Sequence, residues 1–183
     1  SNAPILLFLF VFGIGKAALM PLHWWLPAAM VAPTPVSALL HAVAVVKAGV
    51  FSILMVICYI FGPEFMTSSG SGTFVIWAST ITLFLSSVIA ITKNDIKARL
   101  AYSTVSQLSY IILGGAIATN YSLIASVSNI MMHGVGKITL FFCAGAIYVS
   151  TKITKISDLN GLGHKMPLTF IAFSIGALSI IGI

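Results

Sequence analysis

The chain has 183 residues, of which 59% are hydrophobic and 7% charged, and its mean hydropathy is +1.11. Soluble domains carry about 25% charged residues, so this composition excludes a soluble globular domain and indicates an integral membrane protein. The formal net charge of +6 does not indicate nucleic-acid binding, because the basic residues outside the apolar segments fall in two short connectors.

Six hydrophobic segments approach or exceed the roughly 20 apolar residues that a bilayer-spanning helix needs. In chain order they cover residues 4–20, 35–60, 74–92, 100–118, 121–148 and 167–183. The predicted fold is therefore an all-α, polytopic membrane helix bundle. One connector contains Lys93, Lys97 and Arg99, and the connector two crossings later contains Lys152, Lys155 and Lys165. Cytoplasmic loops are enriched in Lys and Arg, so both connectors are predicted to face the cytoplasm and the N-terminus to lie outside.

The two ends of the chain bear on its domain organisation, and its cysteines bear on disulfides and metal sites. Residues 1–3, Ser-Asn-Ala, resemble the remnant of a cleaved affinity tag, so we expect one partial membrane domain over residues 4–183. The apolar run that reaches Ile183 favours a piece of a longer protein. Cys58 and Cys143 lie in apolar segments without metal-ligand spacing, which is typical of small buried side chains. The sequence predicts no disulfide, metal centre or cofactor.

The stretch between the first two segments is the least regular part of the chain. Four of the seven prolines lie in residues 21–35, and an interior proline removes a backbone donor and clashes with the preceding turn. Because the stretch stays apolar, we predict a broken helix from about Pro21 to Pro35, at membrane depth and covered by protein or water. The alternative is an interfacial turn with His23, Trp24 and Trp25 in an aromatic belt, and both interpretations can hold together.

Lysines occur inside the apolar segments, where a cation costs several kcal/mol unless it faces protein or water. Lys47 is about 20 Å of helix from either end of its segment, too far for its side chain to reach water. Lys16 is only about 6 Å of helix from Met20, so it either sits at the helix break or extends to the interface. His41 and Lys47 are six positions apart and lie on different faces unless the helix is distorted. The alternative for His41 is a neutral histidine bonded to a neighbouring helix.

The fifth segment has a polar face. Ser122, Ser126, Asn129, His133 and Lys137 recur at intervals of four, three, four and four residues, which places them on one side of a helix. Lipid satisfies none of these groups, so the face must contact protein or water. A ladder that holds helices together explains the serines and the asparagine. His133 and Lys137 are one turn apart and fit proton transfer better.

The basic side chains have no acidic partner within a segment, since Glu64, Asp95 and Asp158 all lie in connectors. Either the lysines are neutral for part of the time, or their counter-ions lie on other subunits or on segments outside this chain. No catalytic centre is predicted, because no Ser-His-Asp order, Cys-His cluster or glycine-rich phosphate loop occurs. The pattern predicts a proton conductor, and ammonium groups held only by fixed carbonyls would argue against it.

Three stretches carry recognisable motifs. They are GKAA (15–18) with PLHWWLPAAM (21–30) and APTPVSALLH (32–41), then DIKARLAYSTVSQ (95–107), then HGVGKITLFF (133–142). These motifs resemble the antiporter-like, proton-conducting subunits shared by respiratory complex I, Mrp-type Na⁺/H⁺ antiporters and membrane-bound hydrogenases. The resemblance runs in unbroken order from about Pro4 to Ile183.

The resemblance implies inverted repeats, each with an interrupted helix, and a row of Lys and His side chains across the membrane interior. Residues 167–183 are then the first half of a second interrupted helix, and further family residues are expected outside this chain. The implied proton relay comprises Lys16, Lys47, His133, Lys137 and, as in some members only, His41. Ser126 and Asn129 are expected to be supporting polar residues.

The implied function is proton translocation by one subunit of a redox-driven pump, of the NADH:quinone oxidoreductase or hydrogenase type, or of a multi-subunit Na⁺/H⁺ antiporter. Its expected partners are other membrane subunits, the lipid bilayer, protons and, in an antiporter, Na⁺. The alternative is a structural or assembly subunit whose buried polar residues only pack helices. A bacterial or archaeal plasma membrane is favoured over an organelle inner membrane.

Overall fold

The computed structural model describes residues 2–182, without the Val43 side chain, as an all-α bundle in which residues 2–182 form no strand. Ser1 and Ile183 lie outside the described residues. Ser1 begins the predicted tag remnant, and Ile183 ends the last predicted segment. The helices are α1 (Ala3–Gly13), α2 (Trp25–Ala28), α3 (Thr34–Phe61), α4 (Pro63–Ser69), α5 (Thr73–Thr92), α6 (Ile96–Ile117), α7 (Asn120–Thr151), α8 (Leu162–Lys165) and α9 (Pro167–Ile181). The predicted fold class, a polytopic membrane helix bundle, is confirmed.

Within residues 2–182, four helices are long and apolar enough to cross a membrane. They are α3 with 28 residues, α5 with 20, α6 with 22 and α7 with 32. Helices α1 and α9 are equally apolar but have only 11 and 15 residues. Side-chain caps fix two of the starts: Asp95 Oδ1 accepts from Ala98 N at 2.9 Å before α6, and Thr119 forms a capping box with Ser122 before α7.

The break after α1 begins earlier than predicted. Helix α1 ends at Gly13, seven residues before the predicted end at Met20, and a 3₁₀ turn follows at Gly15–Ala17. The prolines predicted only the later part of the break. Gly13 and Gly15 precede them, and glycine favours helix less than any residue except proline, so α1 already ends there. The helix is therefore interrupted over residues 14–24, and after α2 a second 3₁₀ turn covers Ala29–Val31.

The interruption is stabilised by hydrogen bonds and close packing. The Met20 amide donates to Thr82 Oγ1 of α5 at 3.2 Å, and Trp25 Nε1 donates to the Gly15 carbonyl at 3.2 Å. A Cβ atom at Gly49 of α3 would lie 2.6 Å from Lys16 C, so only glycine lets α3 lie this close to the 3₁₀ turn. Buried polar backbone is thus paired or packed against protein, as membrane depth requires.

The two basic connectors meet at the same end of the bundle. Asp95 and Lys155 form an isolated antiparallel bridge, in which Ile96 N donates to Thr154 O at 3.0 Å and Ile156 N donates to Asn94 O at 2.8 Å. At the opposite end, a Cβ atom at Gly72 would meet the Ala116 carbonyl oxygen at 3.0 Å. The end with the bridged connectors is called the basic end below.

Candidate functional site

Lys47 and His133 join α3 to α7 in the interior of the bundle. Lys47 is 8% exposed, and its Nζ lies 2.8 Å from His133 Nδ1. The same Nζ donates to the Ile130 carbonyl oxygen at 2.7 Å. Lys47 is about 20 Å along α3 from either end of that helix, so this amine lies near mid-depth. Its partners are one backbone oxygen and one titratable ring.

Lys137 is the largest fully buried side chain among the described residues, with 0% exposure. Its Nζ donates to the Leu100 carbonyl oxygen of α6 at 3.0 Å and to Ser103 Oγ. The Leu100 oxygen also accepts from Ser103 Oγ at 3.1 Å and from Thr104 Oγ1 at 2.8 Å. Lys137 lies one turn from His133 on α7, about 6 Å along the helix axis. One lysine thus contacts His133 directly, and the other follows it by one helical turn.

Close helix packing positions Lys137. A Cβ atom at Gly136 would lie 2.8 Å from Ile180 Cγ1, and one at Gly176 would lie 3.3 Å from the Gly136 carbonyl oxygen. Glycines on both α7 and α9 therefore let the two helices approach next to the amine. Lys137 itself contacts α6, so the helix that carries it is packed on two sides.

His41 reaches the same helix from a distorted part of α3. Residues Leu39–Val43 form a π-helical turn, and Ala44 follows with φ −92° and ψ −70°. The sequence predicted that His41 and Lys47 lie on different faces unless the helix is distorted; α3 is distorted here, and both side chains lie against α7. His41 is 0% exposed, and its ring centroid lies 5.4 Å from that of Phe141 on α7.

Buried imidazole nitrogens in this region have unused hydrogen-bonding capacity. Both ring nitrogens of His41, and Nε2 of His133, have no hydrogen-bond partner within residues 2–182. Buried polar atoms in native proteins are usually paired, so an unpaired one requires an explanation. Here it leaves each ring able to bond a mobile donor or acceptor.

Lys16 does not join this group. Its side chain is exposed on the 3₁₀ turn, where it lines an open cleft of about 450 Å³ with Trp25 and Val45. Its backbone and Cβ lie against α3 at Gly49. The structure places Lys16 at the helix break, one of the two positions expected from the sequence.

Ser126 and Asn129 also lie apart from the lysine contacts. Ser126 is buried, and its Oγ donates to the Ser122 carbonyl oxygen at 2.8 Å. The same Oγ lies so close to Gly114 of α6 that a Cβ atom on this glycine would clash with it. These contacts fit the helix-packing alternative that the sequence left open. Asn129 is half-buried and lines a cavity of about 490 Å³ with Gln107 and Ser179.

Sequence reasoning missed Ser103 and the carbonyls of Leu100 and Ile130. The need of Lys137 for a partner was visible, but the partner's identity depends on the register between α6 and α7. Ser103 and Gln107 are four residues apart, and this polar pair was the available signal. Among residues 2–182, no group of three or more His, Cys, Asp or Glu lies close enough to hold a metal ion.

Membrane-length helices around a Lys–His–Lys cluster define a polytopic membrane protein with ionisable groups in its interior. The chain belongs to the family described as NADH:quinone oxidoreductase/Mrp antiporter, transmembrane, whose model matches residues 1–183. It is 41% identical over 179 residues to NADH-ubiquinone oxidoreductase chain 5 of Arabidopsis thaliana, covering 97% of this chain and 26% of the relative. The predicted family is confirmed.

Two further matches extend this similarity. F(420)H(2) dehydrogenase subunit L of Methanosarcina mazei is 36% identical over 186 residues, covering 100% of this chain and 27% of the relative. A chain in the structure of the Mrp complex from Dietzia sp. DQ12-45-1b superposes with a TM-score of 0.88 and 32% identity, over 99% of this chain and 20% of that one. The chain thus spans about a quarter of the length of these curated relatives. The relatives come from a plant and from Methanosarcina, so the favoured bacterial or archaeal membrane stays a prediction.

Proposed function

We propose that the chain is part of a proton-translocating membrane subunit, and that protons pass through Lys47, His133 and Lys137. The observation that carries this proposal is the 2.8 Å contact between Lys47 Nζ and His133 Nδ1 in the bundle interior. An amine and an imidazole can each donate or accept, so this N···N hydrogen bond can pass a proton in either direction. His41 and Lys16 extend the proposed route at either side, through contacts that form only transiently.

Electrostatics supports the coupling of these sites. Charges interact more strongly in a poorly screened interior than in water, so protonation of Lys47 disfavours a second proton on His133 or Lys137. Among residues 2–182 no salt bridge neutralises either lysine. A charge change at one end of the group therefore shifts the proton affinity of the next member.

A purely structural role is the second candidate, and specific contacts favour it. Lys47 and Lys137 each donate to a backbone carbonyl, and Ser126 packs against α6 at Gly114. Carbonyl bonds alone would anchor the amines and stop proton exchange. Each amine, however, has a second partner that can itself exchange protons, His133 in one case and the Ser103 hydroxyl in the other.

The decisive experiment replaces the buried lysines in the complete complex reconstituted into liposomes. We expect Lys137→Ala or Lys47→Leu to abolish proton flux while assembly is retained, because neither replacement can carry a proton. Lys165→Leu is the matched control, since Lys165 is exposed at the basic end and should keep wild-type flux. Flux unchanged in both buried variants would support the structural role instead.

The same preparation separates the two kinds of complex. In a redox-driven pump, proton flux follows electron transfer and does not require Na⁺. In an antiporter, an imposed Na⁺ gradient drives proton flux without an electron donor. Other membrane subunits of the complex are the proposed partners in either case.

A further inference from the structure

His23 is a buried titratable side chain that the proposed relay does not use. It lies in the interrupted stretch between α1 and α2 and is 5% exposed. Its Nδ1 atom is buried and has no hydrogen-bond partner within residues 2–182. The other buried nitrogens in this condition belong to His41 and His133, both of which lie in the relay region.

The neighbours of His23 connect it to the basic end of the bundle. Its ring centroid lies 6.2 Å from that of Tyr102 on α6 and 4.9 Å from that of Trp24. On Tyr102, Lys93 Nζ lies 5.6 Å from the ring centroid, and Lys93 is the exposed residue that directly follows α5. Tyr102 and Lys93 are thus the titratable or charged groups that these contacts place on this side of His23.

Contacts with α5 and α6 show how deep in the bundle the interrupted stretch lies. Met20 N is bonded to Thr82, ten residues or about 15 Å from the last residue of α5. Tyr102 is six residues, or about 9 Å, from the first residue of α6. Over residues 20–23 the chain therefore runs from near mid-depth towards the basic end, with Lys16 on the inner side and His23 on the outer side.

We propose that His23 exchanges protons between water at the basic end and the interrupted stretch that carries Lys16; this inference rests on the proposed function. The neutral ring accepts one proton from water on one nitrogen and becomes a cation. It then releases one proton inward and returns to the neutral form, so that one N–H bond forms and one breaks. Histidine suits this role because its charge changes most readily near neutral pH.

The alternative is a purely structural role, in which His23 only packs in an aromatic cluster with Trp24 and Tyr102. An aromatic packing role needs neither water access nor a change of charge. A variant that keeps side-chain volume and polarity but cannot be protonated separates the two roles.

The test uses His23→Gln in the complete complex reconstituted into liposomes. We expect proton flux to fall about tenfold or more, the scale on which positioned acid–base groups act. His164→Gln is the matched control, since His164 is exposed at the same end and lies outside the bundle interior. Flux of His23→Gln within twofold of wild type, with normal assembly, would overturn the proposal. Absence of flux in the wild-type complex would instead overturn the proposed function.

A second measurement needs no variant and therefore does not depend on assembly. Hydrogen–deuterium exchange at the C2 carbon of each histidine, followed by mass spectrometry of peptides, reports water access and titration in the wild-type complex. We expect His23 to exchange with a sigmoidal dependence on pH. Exchange at His164 with none at His23 would show a ring sealed from water and overturn the proposal.

Discussion

The Ser103 hydroxyl group is the side-chain partner of the most deeply buried amine, Lys137. The hydroxyl accepts from Lys137 Nζ and donates its own hydrogen to the Leu100 carbonyl oxygen at 3.1 Å. It is therefore both donor and acceptor, as a member of a proton route must be. A carbonyl oxygen can only accept, so the two partners of Lys137 differ in kind.

Ser103→Ala removes this partner and leaves the carbonyl. A hydrogen bond to a charged group contributes about 1.5–3 kcal/mol, so we expect inactivation of the complex at a lower temperature and a severalfold loss of proton flux. Ser103→Thr keeps the hydroxyl and should restore most of both. Thermal inactivation and flux in liposomes measure the two effects. Wild-type behaviour of the alanine variant in both assays would exclude a role for the hydroxyl.

At the residue scale, the sequence located the ionisable side chains of the bundle interior better than it predicted which of them contact each other. The spacing of His133 and Lys137 on one face followed from helical periodicity alone. The contact between Lys47 and His133 did not, because it joins residues 86 positions apart and depends on the rotation of α3 against α7. The exposed position of Lys16 depends on the conformation of a broken segment, which periodicity cannot give.

At the scale of elements, two irregular turns contain ionisable side chains of the proposed relay. The π-helical turn Leu39–Val43 contains His41, and the 3₁₀ turn Gly15–Ala17 contains Lys16. Such irregular turns inside helices are frequent at functional sites. The prolines of residues 21–35 predicted a break, and the glycines at positions 13 and 15 were the available signal for the earlier end of α1. The π-helical turn has no comparable sequence signal, because tertiary packing decides it.

Gly49→Ala tests how closely α3 must lie to the interruption. The added Cβ would be 2.6 Å from both Ala17 N and Lys16 C, and backbone atoms cannot move aside cheaply. We expect overpacking of about 1–3 kcal/mol, seen as lower thermal stability of the complex and reduced flux. Gly163→Ala in α8 is the matched control, since a Cβ there meets nothing within 4 Å. Equal stability of the two variants would contradict this close packing.

At the scale of the whole molecule, the bridged connectors tie two pairs of helices at one end. Asn94 strengthens the bridge, since its Oδ1 accepts from Ser157 N at 3.1 Å and its Nδ2 donates to Ser157 Oγ at 3.1 Å. The Lys and Arg residues in the two connectors predicted that both lie on one side of the membrane, and the bridge places both connectors at one end of the bundle. That this side is the cytoplasm remains a prediction.

Single cysteines can test this orientation in membrane vesicles of known sidedness. Ser157→Cys lies at the basic end and Ser68→Cys in α4 at the other, both exposed, in a background without Cys58 and Cys143. We expect a membrane-impermeant thiol reagent to label position 157 from the cytoplasmic side and position 68 from outside. Labelling of both from one side, or in the reverse sense, would refute the predicted topology.

The Leu100 carbonyl oxygen serves three side-chain donors at once, from Lys137, Ser103 and Thr104. A carbonyl oxygen has two lone pairs, so these donors compete for it. Without the Lys137 bond, the two hydroxyl groups would still occupy the oxygen, so no buried acceptor would be left unpaired. Breaking the bond between Lys137 and this oxygen is therefore expected to cost less free energy than breaking a bond to a sole partner would.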